Sequence, residues 1–262
     1  MCIRDRHETG RLTRQEAVSM IPVMALRPKS GEAVLDMCAS PGSKTSQIAE
    51  FMDGMGVLVA NERSRKRCNL LVANIQRHRS RVTIVSNHDG RHIPSLSGGG
   101  GYDAILVDAP CTGSGTTRKN PEVWRQWKPS GGLGLHSMQV GLLSRAVDLL
   151  KPGGRIVYST CSLDPVENEA VVSQILQRRN DLRLIDCSDT MDGISIQEGL
   201  QSWVPTDDHM QPLAGKSWAY PPSKEISQDL RKCVRVRGHM MDAGGFFFAK
   251  IEKKLIREKK DL

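Results

Sequence analysis

The chain has 262 residues, with 37 Lys and Arg against 29 Asp and Glu for a formal charge of +8, and 39% of it is hydrophobic but only 4% aromatic. That length suits one large domain with a real core, and a charged fraction of 25% excludes global disorder. No apolar run nears the ~18 residues of a membrane span, and the seven cysteines include no C-x-x-C pair, which excludes the common zinc pattern and argues for reduced thiols rather than a disulfide framework.

Met1 to Arg6 alternates charge with no apolar stretch, so no secretory leader is expected, and residues 1–10 read as a truncated or unrelated start. Thr13 and Glu16 have capping-box spacing and predict a helix over Arg14 to Leu26. Strands are expected at Ala33–Asp36, Val57–Asn61, Val82–Ser86, Asp103–Asp108 and Arg155–Ser159, near-continuous apolar runs separated by helix-length stretches. Ser97 to Gly101 reads as a flexible connector. Leu135 to Leu150 has helical apolar periodicity and stops at the turn Lys151-Pro152-Gly153-Gly154. Asp164-Pro165-Val166-Glu167 offers a cap, a first-turn proline and a first-turn carboxylate for a helix over Pro165 to Arg178. Residues 186–244 read as an irregular insertion before a last strand, Gly245 to Ala249, and Lys250 to Lys260 as basic text, with 253–262 a tail. The pattern predicts an α/β fold, a doubly wound and mostly parallel sheet.

In such sheets ligands bind beyond the carboxyl ends of the strands. The first strand-to-helix turn here, Asp36 to Thr45, satisfies neither G-x-G-x-x-G nor the P-loop pattern, because Ser43 precedes Lys44. Glu62, after the second strand, is placed to take ribose hydroxyls, and Asp89, after the third, to accept from an adenine amino group. An adenosyl cofactor without a phosphate cradle points to S-adenosylmethionine. Singly, Asp36, Glu62 and Asp89 are as well explained as helix caps or solvated acids; their shared position after successive strands favours the site.

Cys111 and Cys161 follow the ends of two further strands, so both thiols are expected in one crevice. A cysteine is more often a small buried hydrophobe. Paired thiols at neighbouring strand ends, however, suit methyl transfer to carbon 5 of a pyrimidine, which is not nucleophilic until a thiolate adds at carbon 6, and which must later lose a proton to a base. Asp108 is placed to bond to the exocyclic amine and ring nitrogen 3 of cytosine.

The runs Arg14 to Pro22, Leu35-Asp-Met-Cys-Ala-Ser-Pro-Gly-Ser-Lys-Thr45, Asn87-His-Asp89, Asp108-Ala-Pro-Cys111, Arg118-Lys119-Asn120, Tyr158-Ser-Thr-Cys-Ser-Leu163 and Gly244-Gly-Phe-Phe247 occur in that order. With them the sequence resembles the Sun-type (Nol/Nop/Sun) RNA cytosine-5 methyltransferases, most closely the eukaryotic tRNA-modifying branch. The resemblance implies a Rossmann-like S-adenosylmethionine-dependent fold over residues 11–252, with Cys161 as nucleophile and Cys111 assisting proton removal and release. It places the cofactor on Cys38, Ala39, Ser40, Pro41, Gly42, Ser43, Lys44, Glu62, Asp89 and Asp108. It implies RNA as substrate, expected to be tRNA with ribosomal or messenger RNA and a non-catalytic RNA-binding relative as alternatives, and an intracellular monomer, nuclear or else cytoplasmic, without membrane or metal. Sun-type members that act alone carry an RNA-binding region before the segment around Gln15-Glu16, so the chain reads as a fragment.

Arg118 and Lys119, just past the Cys111 loop, are the RNA-binding candidates. The arginines at 63 to 67 read as a solvated helix face. Trp124 and Trp127, three apart, are expected in the core rather than on a base, whereas Trp203 and Trp218 fit either base stacking or loop anchoring equally. His88 and His136 lack ligand-spaced partners, so no metal is expected.

Overall fold

The computed structural model describes residues 2–96, 99–188, 191 and 193–255. The expected parallel strands are present as β1 (Ala33–Asp36), β2 (Val57–Asn61), β3 (Thr83–Ser86), β4 (Tyr102–Asp108) and β5 (Leu150–Thr160). Helices α1 (Ile3–Glu8) and α2 (Ala17–Leu26) precede them, α3 (Ser43–Phe51) and α4 (Arg65–His78) join the first three, and α5 (Glu122–Gln126) and α6 (Leu133–Leu149) join the last two. Beyond β5 come α7 (Glu169–Arg178), β6 (Leu182–Ile185), β7 (Gln197–Glu198), α8 (Lys224–Asp229), β8 (Val234–Val236), α9 (Gly238–Met241) and β9 (Phe246–Lys253).

The sheet order is β3-β2-β1-β4-β5-β9-β8-β7, with β6 also on β9. β1 to β5 pair in parallel, while β6, β7, β8 and β9 run antiparallel to their neighbours. The chain works outward from β1 to β3 and then crosses back to β4, so the sheet opens at the carboxyl ends of β1 and β4, where such folds hold ligands. Alternation in the central strands serves both faces. Ile105 and Val107 meet Leu142, Leu143, Ala146 and Val147 of α6, and Ala104 and Leu106 lie in the layer with Ile21 and Leu26 of α2 and Ile48 of α3.

Several expectations change. The 186–244 stretch is not wholly irregular, because β8 adds a buried strand to β9. The last strand runs on to Lys253, taking part of the basic text. Residues 256–262, and 97–98 of the glycine connector, lie outside the described residues. Lys151 to Gly154 bulge from β5 rather than ending before it, since Tyr102 pairs with Leu150 and Ala104 with Arg155 and Gly153 has φ +78. α2 begins after Glu16 and not at Arg14, because Thr13 spends its hydroxyl on the His78 ring 2.9 Å away instead of capping.

Leu143 is fully buried while Leu70 is 52% exposed. Leu143→Ala should therefore cost about 2–5 kcal/mol in urea unfolding, and Leu70→Ala less than about 0.5 kcal/mol; equal losses would contradict this layering.

Candidate active site

The turn after β1 is built to bring backbone to the opening. Ser40–Pro41 is a cis peptide, and Gly42 has φ +106 with Leu71 Cδ1 only 3.0 Å from where a Cβ would stand. Arg67 donates to the Ser40 carbonyl at 2.8 Å and Asn74 to the Pro41 carbonyl at 2.6 Å. Arg63, Arg65, Lys66 and Arg67 are all exposed, as expected of a solvated face, but Arg63 and Arg67 also line the cleft and Arg63 faces Asp89 at 3.5 Å.

One arm of the cleft, about 200 Å³, runs between Cys38, Ser40, Glu62 and Asp89 and reaches Asp108, Cys111 and Cys161. Glu62 is 5% exposed and accepts from the Ser64 backbone at 2.8 Å. Asp89 is gripped by Arg91 at 2.7 and 3.0 Å, which holds its carboxyl well below the usual range. Asn61, not anticipated from the sequence, ties the strand ends together by bonding to the Met37 and His88 carbonyls and the His88 amide. Ala39, Pro41, Ser43 and Lys44 line the adjoining arm with Asp36 and Asp108.

Lys44 lies 2.8 Å from Asp108 and donates to Ser19 at 2.9 Å. Burial pulls its ammonium down, but the carboxylates of Asp108 and Asp36 outweigh it and the pKa lies above that of ordinary lysine. The other Asp108 oxygen accepts from Ser159 at 2.8 Å. Burial pushes the Cys38 thiol well up, with Asp36 and Asp108 adding to it.

Cys111 and Cys161 are free thiols with sulfurs 3.3 Å apart. The pair is asymmetric. Cys161 is drawn down by the Cys111 hydrogen bond and by Lys44 and Lys119, against burial and Asp108. Cys111 is held well up by donating to Cys161, by burial, and by negative charge on Cys161 and Glu167. Of the two thiols, Cys161 is therefore the one that gives up its proton more readily.

Backbone contact sets this distance. Gly115 donates to the Cys161 carbonyl at 2.8 Å and accepts from the Gly245 amide at 2.7 Å; a Cβ at Gly115 would stand 2.4 Å from the Gly245 oxygen. Glu167 was expected in the first turn of a helix. α7 instead starts two residues later, and the fully buried Glu167 carboxylate accepts from the Thr112 amide at 2.9 Å, Gln139 at 3.0 Å and the hydroxyls of Thr112 and Ser162. It thereby joins the two cysteine loops. Its position five residues after Ser162 is the one clue in the text, and helix propensity reads that clue otherwise.

Lys119 lines the arm that holds Cys161 and pairs with Glu16; Arg118 is exposed beside Asp242 at 3.0 Å. Trp203 is 8% exposed and donates to the Ala219 carbonyl, and Trp218 stacks on His136 at 4.3 Å, so both anchor loops. Trp124 and Trp127 are not core: they are 74% and 51% exposed, because α5 is too short to bury a face and Trp127 already has extended backbone.

The model of the family described as 16S rRNA methyltransferase RsmB/F matches residues 23–252. The chain is 41% identical over 266 residues to the multisite-specific tRNA:(cytosine-C(5))-methyltransferase of Saccharomyces cerevisiae, covering 93% of this chain and 39% of that protein. It is 36% identical over 248 residues to the tRNA (cytosine(49)-C(5))-methyltransferase of Pyrococcus abyssi, covering 94% and 72%. The crystal structure of NSun6 from Pyrococcus horikoshii with SFG superposes with a TM-score of 0.72 at 27% identity, over 95% of this chain and 54% of that one. The chain spans only 38% to 43% of the first three curated relatives it matches. The fold is that of the Rossmann-like S-adenosylmethionine-dependent methyltransferases.

Asp36 is 1% exposed, accepts from Thr45 at 2.7 Å and keeps its other oxygen unpartnered among the described residues. Burial, with the Asp108 charge adding to it and Thr45 opposing, pushes it up to about 7. Between about pH 4 and 7 the folded chain then holds a proton that the unfolded chain has lost, so stability falls through that window as pH rises, by up to a few kcal/mol. Asp36→Asn should flatten the decline in urea-unfolding free energy between pH 5 and pH 8; an unchanged slope would contradict the assignment.

Proposed function

The chain belongs to the 16S rRNA methyltransferase RsmB/F family, and from that premise we propose that it transfers the methyl group of S-adenosylmethionine to carbon 5 of cytosine in RNA, with tRNA as the substrate class. The observation that carries the proposal is the thiol pair, 3.3 Å apart and biased toward charge on Cys161. Two relatives named as tRNA cytosine-C(5) methyltransferases, at 41% and 36% identity, support the substrate class.

The first arm of the cleft suits an adenosyl group. Met37 and Leu142 form apolar walls, and Gly90 keeps them close, because a Cβ there would stand 2.7 Å from Leu142 and 3.0 Å from Met37. Glu62 presents a buried carboxylate for ribose hydroxyls, and Asp89 walls the far side. Cys38 to Lys44 and Asp108 would hold the remainder, toward Cys161. Bound there, S-adenosylmethionine supplies a methyl group on a positively charged sulfur.

Cys161, as thiolate, adds to carbon 6 of the cytosine, and the displaced electron pair is neutralised by a proton at ring nitrogen 3, taken from Cys111 as charge leaves the pair. Asp108 holds the exocyclic amine and the nitrogen 3 side. Once carbon 5 carries the methyl group, the Cys111 thiolate removes the carbon 5 proton and Cys161 leaves as thiolate, which restores the starting pair. The proton on nitrogen 3 then passes to water. Lys119 and Arg118 steer the RNA backbone. A nuclear monomer is part of the same reading.

The test is transfer of label from methyl-labelled S-adenosylmethionine to total tRNA, digested to nucleosides. Wild type should yield labelled 5-methylcytidine and Cys161→Ala none. Cys111→Ala should slow turnover about 10²- to 10⁴-fold and accumulate RNA-linked protein on a denaturing gel, because water can supply the nitrogen 3 proton for attack while no other group removes the carbon 5 proton for release; no adduct would sink the assigned roles, and label in ribosomal RNA alone would move the substrate class.

A further inference from the structure

A second groove, of about 490 Å³, begins where the thiol site ends. Its wall includes Ser114 and Leu163, three residues past Cys111 and two past Cys161, joined by the Leu163 amide donating to the Ser114 hydroxyl at 2.8 Å. The lining also includes Trp124 and Trp127 with Val204 and Met210, 74%, 51%, 61% and 64% exposed. Asp208 accepts from the amide and hydroxyl of Ser130, at 3.2 and 2.6 Å, and so fastens the Met210 loop to the segment that follows the indoles. Two exposed indoles facing one preformed groove are an apolar surface awaiting an occupant.

The chemistry around the indoles says which occupant. Asp164 lines the groove itself, and of the cations beside it Arg118 pairs with Asp242, Lys119 with Glu16 and Arg125 with Glu122, so aromatic faces rather than charge select the ligand. Such faces fit flat, unpaired bases, since each base has a π-face that stacks on an indole, and the exposed Lys128 beside Trp127 is placed to meet a phosphate. Turning a cytosine out of its stack toward Cys161 also leaves its neighbour without a stacking partner. On the reading that the substrate is RNA, we infer that this groove receives the base next to the target cytosine, stacked on Trp124 or Trp127, so that the enzyme holds the RNA strand on both sides of the thiol site.

The probe is a fluorescein-labelled 12-residue oligouridylate with one central cytidine, compared with the same strand made abasic at the two flanking positions. Trp124→Ala and Trp127→Ala should weaken binding of the intact strand by roughly 5- to 150-fold in one or both variants, the range for loss of one base–indole stack. They should barely alter binding of the abasic strand, and Trp→Phe at the same positions should restore most of the loss. Methylation of total tRNA should show the loss in KM rather than kcat. Because both indoles are exposed, the variants should keep the wild-type melting temperature. Unchanged binding, an equal loss on intact and abasic strands, or no binding to either strand would overturn the inference. Tryptophan-dependent binding without any methyl transfer would keep the groove and overturn the proposed reaction instead.

Discussion

Three stretches of backbone meet at Gly115, and the reactive arrangement depends on that meeting. The residue lies between the Cys161 carbonyl and the Gly245 amide, bonded to both, where no side chain fits. The loop after β4, the loop after β5 and the approach to β9 are thus held at hydrogen-bond distance although they come from widely separated parts of the chain. Two cysteines fifty residues apart in sequence consequently face each other at 3.3 Å.

Glu167 completes this constraint from beneath. A fully buried carboxylate is costly unless its oxygens are satisfied, and here Thr112 and Ser162, one from each cysteine loop, together with Gln139 of α6 satisfy them. The Cys111–Cys161 hydrogen bond and burial hold the Cys111 thiol up and the Glu167 charge adds to this, while that same bond, with Lys44 and Lys119, lowers Cys161. The group that fixes the loops thus also contributes to the asymmetry of the thiols.

The sheet's reversal at β1 and β4 explains why the remaining parts converge. Loops after β1, β2 and β3 bring Cys38, Glu62 and Asp89 to one side of the opening, and loops after β4 and β5 bring Asp108, Cys111 and Cys161 to the other. Lys44, reaching back from α3 to Asp108, bridges the two sides.

The sequence by itself determined the parallel strands, because segments buried on both faces must be apolar throughout, and β1 and β2 occur where the text predicts them. It also determined which strand-end residues share the cleft, since parallel strands send all their carboxyl ends to one edge. Only the tertiary structure decided what depends on contacts between distant segments. Thr13 lost its cap to His78, Glu167 left its helix for the cysteine loops, and β8 rose out of polar text to pair with β9. Trp124 and Trp127 show the same limit: three-residue spacing implies a shared face only where a helix persists, and α5 ends at Gln126, before Trp127. Which of Cys111 and Cys161 gives up its proton more readily was likewise beyond residue spacing, because it depends on their mutual hydrogen bond, on burial and on Asp108, Lys44, Lys119 and Glu167, charges that only folding brings to the two sulfurs.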